Sequence, residues 1–219
     1  MKPNTFMFVV VADQVDSRRG VDQVPAALDA LADLPLLLPF ERTAGDEIQA
    51  LCAEPKVIPL VVSRLTRLDG WRIGIGAGEV EAPLPDTTRA ARGTAYLAAR
   101  AAIVAARRSP VQLAFCLPSD VSGEQYRGEL EAAEDAETSL WLLRSVLSRR
   151  SREGWELMDL LDGGLSNARA AAELGISASA ASQRLARAGR AEASRGELLA
   201  ARLLGRLQRV FATRAEGAS

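Results

Sequence analysis

The stretch from Ala171 to Gly189, AAELGISASAASQRLARAG, constrains this chain more than any other. It reads as two short helices joined by a tight turn, the second and third helices of a helix-turn-helix. Ala171, Ala172 and Leu174 make an apolar edge. Gly175 supplies the positive φ that a sharp helix stop needs. Ile176 plugs the turn, and Ser177 caps the next helix by accepting from its free N–H groups. Ala181 and Leu185 fall four apart and share one buried face. That leaves Ser179, Ser182 and Gln183 outward, with Arg184 and Arg187 beside them. Short polar side chains on the front of a short helix suit a major groove, where base edges offer donors and acceptors. The same pattern builds an ordinary αα-hairpin in a helical domain. The agreement of turn, cap and outward polar set favours DNA recognition.

Charge is distributed in the same sense. The chain of 219 residues is nearly neutral, with 27 Lys and Arg against 28 Asp and Glu. Between Arg144 and Arg214, however, 13 arginines face 7 acids, which leaves 14 basic and 21 acidic groups elsewhere. A basic C-terminal third on an acidic remainder points to nucleic acid at one end. Arginine, which forks onto phosphate, supplies that charge. Arg169, Arg184, Arg187 and Arg190 are the expected phosphate contacts, and Ser177, Ser179, Ser182 and Gln183 complete the expected DNA-facing set.

There is no histidine. Its absence removes His-based acid–base catalysis, Ser-His triads and most zinc sites. Any metal would sit on oxygen, which favours magnesium, manganese or calcium. Cys52 and Cys116 lie far apart in apolar settings and fit reduced, buried thiols in a cytoplasmic protein. No apolar run of about 18 residues marks a membrane span. The opening MKPNTFMFVV alternates like a strand and lacks the small-residue cleavage site of a signal peptide.

Taken in order, Thr5–Ala12 reads as a strand buried on both faces, ending at Asp13. Val21–Leu31 has helical spacing. Leu34–Cys52 reads as two short strands around Gly45–Asp46, a hairpin signal. Pro55–Leu68 is an amphipathic helix and Trp71–Val80 a Gly-rich strand. Ala90–Arg108 is an Ala-rich helix that Ser109–Pro110 stops, and Val111–Leu117 is a last strand. The order β-α-β-β-α-β-α-β contains the split βαβ, ferredoxin-like arrangement, an antiparallel sheet with helices mostly on one face. The expected class is α+β: a ferredoxin-like domain over 1–118, a linker helix within 119–150, and an all-α helix-turn-helix domain over 151–214. In the linker helix Leu130, Leu140, Trp141 and Leu147 are the anchors; it could join the domains or pair two chains. Ser151–Leu161 is the first helix of the helix-turn-helix, with Trp155 and Leu157–Met158 facing in. In the final helix, Glu192–Phe211, the seam of Leu199, Leu203, Leu207 and Val210 could pack on the helix-turn-helix or on a twin chain.

Three stretches of the first domain resemble class III nucleotide cyclases. VVVADQVDSR at 9–18 resembles their metal strand, RTAGDEIQAL at 42–51 their glycine–aspartate hairpin, and RIGIGAGEV at 72–80 the strand after their second helix. With the basic helix-turn-helix behind them, the chain resembles the SatD family over nearly its full length. That resemblance implies a palm-like domain coupled to a DNA-binding segment, and head-to-tail pairing of palms into a homodimer.

Asp13 ends a buried strand and Asp46 sits in a hairpin turn. If their strands are neighbours, the two carboxylates converge and with a backbone carbonyl can hold Mg²⁺ or Mn²⁺ with a nucleotide. Aspartates also end strands and open turns for local reasons alone. Asp16, Ser17 and Arg18 follow where backbone N–H groups would cradle phosphates, although Asp16 puts a negative charge there. The resemblance places Arg42 where cyclases carry a base-selecting lysine, and Arg100 where they present a transition-state arginine; both are equally well solvated surface charges. Tyr96 replaces the orienting asparagine of that pattern. The expectation is therefore a transcriptional regulator that binds double-stranded DNA, with a palm-like domain that binds a nucleotide or another ligand or only dimerises. The alternative is a divergent metal-dependent cyclase or phosphohydrolase that uses Asp13, Asp46, Arg42 and Arg100.

Overall fold

The structure, a computed structural model, describes residues 5–17 and 20–217. Five strands form one mixed sheet: β1 (Thr5–Gln14), β2 (Leu38–Ala44), β3 (Glu47–Cys52), β4 (Trp71–Val80) and β5 (Leu113–Cys116), in the order β2-β3-β1-β4-β5. β1 lies in the centre, antiparallel to β3 and β4; β2 is antiparallel to β3, and β5 runs parallel to β4. The helices are α1 (Val24–Leu31), α2 (Val57–Leu68), α3 (Thr94–Ala106), α4 (Arg127–Leu147), α5 (Arg152–Asp162), α6 (Asn167–Glu173), α7 (Ala178–Arg187) and α8 (Arg190–Gly217). The class is α+β with a helical C-terminal part.

β1 is apolar at every position from Phe6 to Ala12 because both its faces are covered. Phe8, Val10 and Ala12 point into a core shared with α1, α2, α4 and α8. Val9 and Val11 point into the other, where Ala95, Ala99 and Ile103 of α3 meet Leu51 and Val80. α3 lies against β4 because Gly74 and Gly76 leave no side chain between them. A Cβ on Gly76 would stand 2.0 Å from the Ala99 nitrogen, and one on Gly74 2.3 Å from the Ile103 nitrogen. α3 starts at Thr94 rather than Ala90. Gly93 precedes it at φ +141°, against the Glu79 carbonyl, in a conformation that breaks the helix.

α4 covers the open edge of the sheet. Glu137 accepts from the Phe115 N–H at 2.9 Å, and the Trp141 indole donates to the Leu113 carbonyl at 2.9 Å. Both backbone groups belong to β5, which has a neighbouring strand on one side only, and side chains satisfy what a sixth strand would otherwise take. These contacts of α4 with β5 cross the expected boundary at 118. Leu140, Trp141 and Leu147 anchor α4 as expected, whereas Leu130 is exposed.

Part of the α8 seam packs on α4 and the sheet rather than on α5–α7. Ala200, Leu204 and Leu207 are buried with α4 and the sheet, Phe211 stacks on Phe6 at 4.2 Å, and Gln208 donates to the Phe6 and Ala53 carbonyls. The true buried stripe is shifted from the expected one, and Leu199 is left 46% exposed.

Candidate nucleic-acid interface

α5, α6 and α7 pack as a three-helix unit around Leu157, Met158, Leu161 and Ala170, with Leu165, Leu174 and Leu185 at its margin. Each helix begins with a serine cap. Ser151 accepts from the Gly154 N–H at 3.2 Å, Ser166 from Arg169 at 3.3 Å and Ser177 from Ala180 at 3.1 Å. Each cap satisfies a backbone donor that has no intrahelical partner. Between α6 and α7 Gly175 adopts φ +64°, and the Ile176 N–H returns to the Ala171 carbonyl at 3.0 Å, closing the turn. Ala172, expected on the apolar edge, is exposed. Trp155 sits against Leu143 and Leu147 of α4 rather than in the three-helix core.

On α7, Ala181 is fully buried and Leu185 packs inward, which turns the opposite face to solvent. Ser179, Ser182, Gln183 and Arg187 are exposed there, and Arg184 is half-buried. Gln183, Arg184 and Arg187 line a cleft of about 610 Å³ with Arg149, from the end of α4, and Ser151. Arg149 is the cation that sequence reasoning missed, because only folding brings the segment before α5 beside α7. Glu153 lies on the same cleft; its carboxyl is held below the usual range by the local backbone N–H and Ser151, and by the charges of Arg152 and Arg184. Arg169 is exposed on α6. Arg190, by contrast, is engaged with Asp162 at 3.1 Å. The Asn167 amide approaches the Ser182 hydroxyl at 3.4 Å and ties α6 to α7.

Asp13 pairs with Glu47 across β1 and β3, and the Asp46 carbonyl accepts from the Gln14 N–H at 3.3 Å, so Asp13 and Asp46 lie at one end of the sheet. Asp13 is 8% exposed. Burial pushes its pKa up; Arg72 and Arg107 oppose that rise, and the charge of Asp46 adds to it. Arg72 stands 3.4 Å and Arg107 3.7 Å from its carboxylate oxygens. A divalent ion on Asp13 would have to displace these two guanidiniums, and among the described residues no three acidic, Cys or His side chains gather into a metal-binding group. The donor set does not fit a nucleotide-bound metal in this arrangement.

Arg42 is bound to Asp22 at 2.6 Å, and Asp22 also accepts from the first N–H of α1. Arg100 reaches Glu47 at 3.1 Å. Tyr96 approaches the Thr88 hydroxyl at 3.3 Å. Asp16 adopts φ +54° in the turn after β1, and Arg18 lies outside the described residues. Arg42 and Arg100 are thus each neutralised by a separate acid.

No protein-family model matches the chain, and no curated protein matches it. Among solved structures it is similar to a regulator of polyketide synthase expression from Bifidobacterium adolescentis. The identity is 14% and the TM-score 0.28, over 96% of this chain and 82% of that one. At that score the likeness bears on neither fold nor function. No helix of the described residues is long and apolar enough to cross a membrane.

Proposed function

We propose that this chain is a DNA-binding regulator in which α5–α7 read the duplex and the sheet unit carries them. One observation carries the reading: Ser179, Ser182 and Gln183 stand exposed on α7 beside Arg184 and Arg187, on the face opposite buried Ala181. Gln183 is long enough to make a bidentate pair with adenine in the major groove. Arg149, Arg169, Arg184 and Arg187 hold the backbone, and Ser177 caps the reading helix. Arg190 joins them when it leaves Asp162.

For β1–β4, the order β2-β3-β1-β4 with three antiparallel pairings supports a ferredoxin-like unit of the cyclase kind, to which β5 is added in parallel. With the C-terminal helices this is the arrangement of the SatD-like organisation that the sequence resembles; paired through its sheet units into a homodimer, such a chain would set two reading helices against half-sites about 34 Å apart.

The test is fluorescence anisotropy of the full chain on a pool of random duplexes, with selection for the tightest. The expected result is enrichment of one motif and a log–log salt slope of about −0.9 for each phosphate contacted. Absence of binding at low salt overturns the reading.

A further inference from the structure

Where the sheet unit meets the helix-turn-helix, α2, the turn before β5, the end of α4 and the start of α5 enclose a cleft of about 740 Å³. That volume lies in the range of small-molecule sites, about 300–1,000 Å³. Four guanidiniums line it: Arg67, Arg144, Arg150 and Arg152. Two are neutralised. Arg67 is closed on Asp159, and Arg152 stands 3.8 Å from Glu156.

The other two have no carboxylate partner among the described residues. Arg144 is 8% exposed and donates to the Gln112 and Trp71 carbonyls. Asp69, also on the cleft wall, acts on it only at longer range. Arg150 donates to the Ala188 carbonyl and lies 4.3 Å over the Trp155 ring. Burial pushes Arg144 down to about 10 and lowers Arg150 as well. A guanidinium taken out of water without an anion is costly, and an anion that enters recovers the loss.

We propose that this cleft binds a small phosphate-bearing anion of about mononucleotide size, held by Arg144 and Arg150. A phosphate offers three acceptor oxygens to the N–H groups that Arg144 and Arg150 do not spend on the Gln112, Trp71 and Ala188 carbonyls. The remaining volume accommodates the body of the ligand beside Trp155, over which Arg67 and Arg150 stack. Neither Asp13, Asp46 nor any α7 residue lines the cleft, although it opens at the same end of the sheet as Asp13: Trp71, whose carbonyl Arg144 holds, pairs with Gln14. The cleft touches α7 through the bond from Arg150 to Ala188, the residue that caps that helix.

The probe is sodium pyrophosphate, titrated into the full chain in EDTA by calorimetry and followed by tryptophan fluorescence. The expected result is one saturable site per chain. Arg150→Gln and Arg144→Met each weaken it about tenfold or more, the scale of one lost charge-assisted hydrogen bond, whereas Arg184→Gln and Arg187→Gln leave it unchanged. Circular dichroism checks each variant; if Arg144→Met does not fold, Arg150→Gln decides. Absence of saturable binding, binding indifferent to Arg150→Gln, or equal weakening by Arg187→Gln overturns the proposal. No DNA is present, so the outcome is independent of the DNA-binding reading.

Discussion

Arg67 near the end of α2 and Asp159 in α5 meet fork to fork, with their paired atoms 2.5 and 2.6 Å apart across 92 residues of sequence. This pair fastens the three-helix unit α5–α7 to the sheet unit. Both side chains are nearly half exposed, at 44% and 49%, so solvent and salt screen most of the attraction. Arg67→Gln is expected to lower global stability by under about 1 kcal/mol. Amide exchange at 148–151, where α4 hands over to α5, is expected to quicken. A double-mutant cycle with Asp159→Asn measures the coupling; a value above about 2 kcal/mol would mean that the pair is far less screened than its exposure implies.

Gly76→Ala tests the contact between α3 and β4. The added Cβ would lie 2.0 Å from one backbone nitrogen and 2.4 Å from the Ala95 carbonyl oxygen, and neither atom can rotate away. The helix must lift from the sheet. The expected loss is about 3 kcal/mol or more, at the upper end of overpacking costs, read by urea unfolding. Gly128→Ala is the control, because nothing lies within 4 Å of the Cβ it would add.

These two cases also mark what the sequence could reveal. The order of strands and helices through β5 was legible because alternation and helical spacing are local signals, and the Ser177 cap with Gly175 made the α6–α7 turn legible for the same reason. The alternating glycines of WRIGIGAGEV marked a strand, but that they admit α3 depends on which helix crosses them. The stripe along α8 announced a buried face without naming its partner; Leu204 and Leu207 found α4 and the sheet, and Leu199 found solvent. At the Asp13 end of the sheet, the convergence of Asp13 and Asp46 hung on β1 and β3 being neighbours, which the sequence leaves open and the sheet order decides. Arg72 and Arg107 were not anticipated, since one comes from the register of β4 and the other from just beyond α3. Arg149 was missed in the same way.

On α7 the proposed division of labour separates two variants. Gln183→Ala is expected to relax preference at one base pair by about 1–3 kcal/mol while binding to unrelated duplex changes little. Arg187→Gln is expected to weaken all duplexes alike and to reduce the salt slope by about one contact. Competition binding on single-base operator variants measures both. Uniform weakening by Gln183→Ala would reassign that side chain to the backbone.

Glu137 gives a pH-dependent prediction. Its carboxyl lies half-buried against β5; burial pushes its pKa up, the Phe115 N–H pulls it down, and the charge of Glu134 adds to the rise. A carboxyl with a raised native pKa binds its proton in the folded state before the unfolded chain does. Between its unfolded and folded pKa values stability therefore falls as pH rises, and above that window the penalty is constant. Glu137→Gln keeps an oxygen that can accept from Phe115 and removes the charge. It is expected to raise the urea midpoint at pH 7, with a gain that shrinks as pH falls through the folded pKa of the wild-type carboxyl. Urea midpoints for both proteins between pH 4 and 7 provide the measurement. A gain that stays constant across that range would show that the carboxylate is not destabilised by its place at the sheet edge.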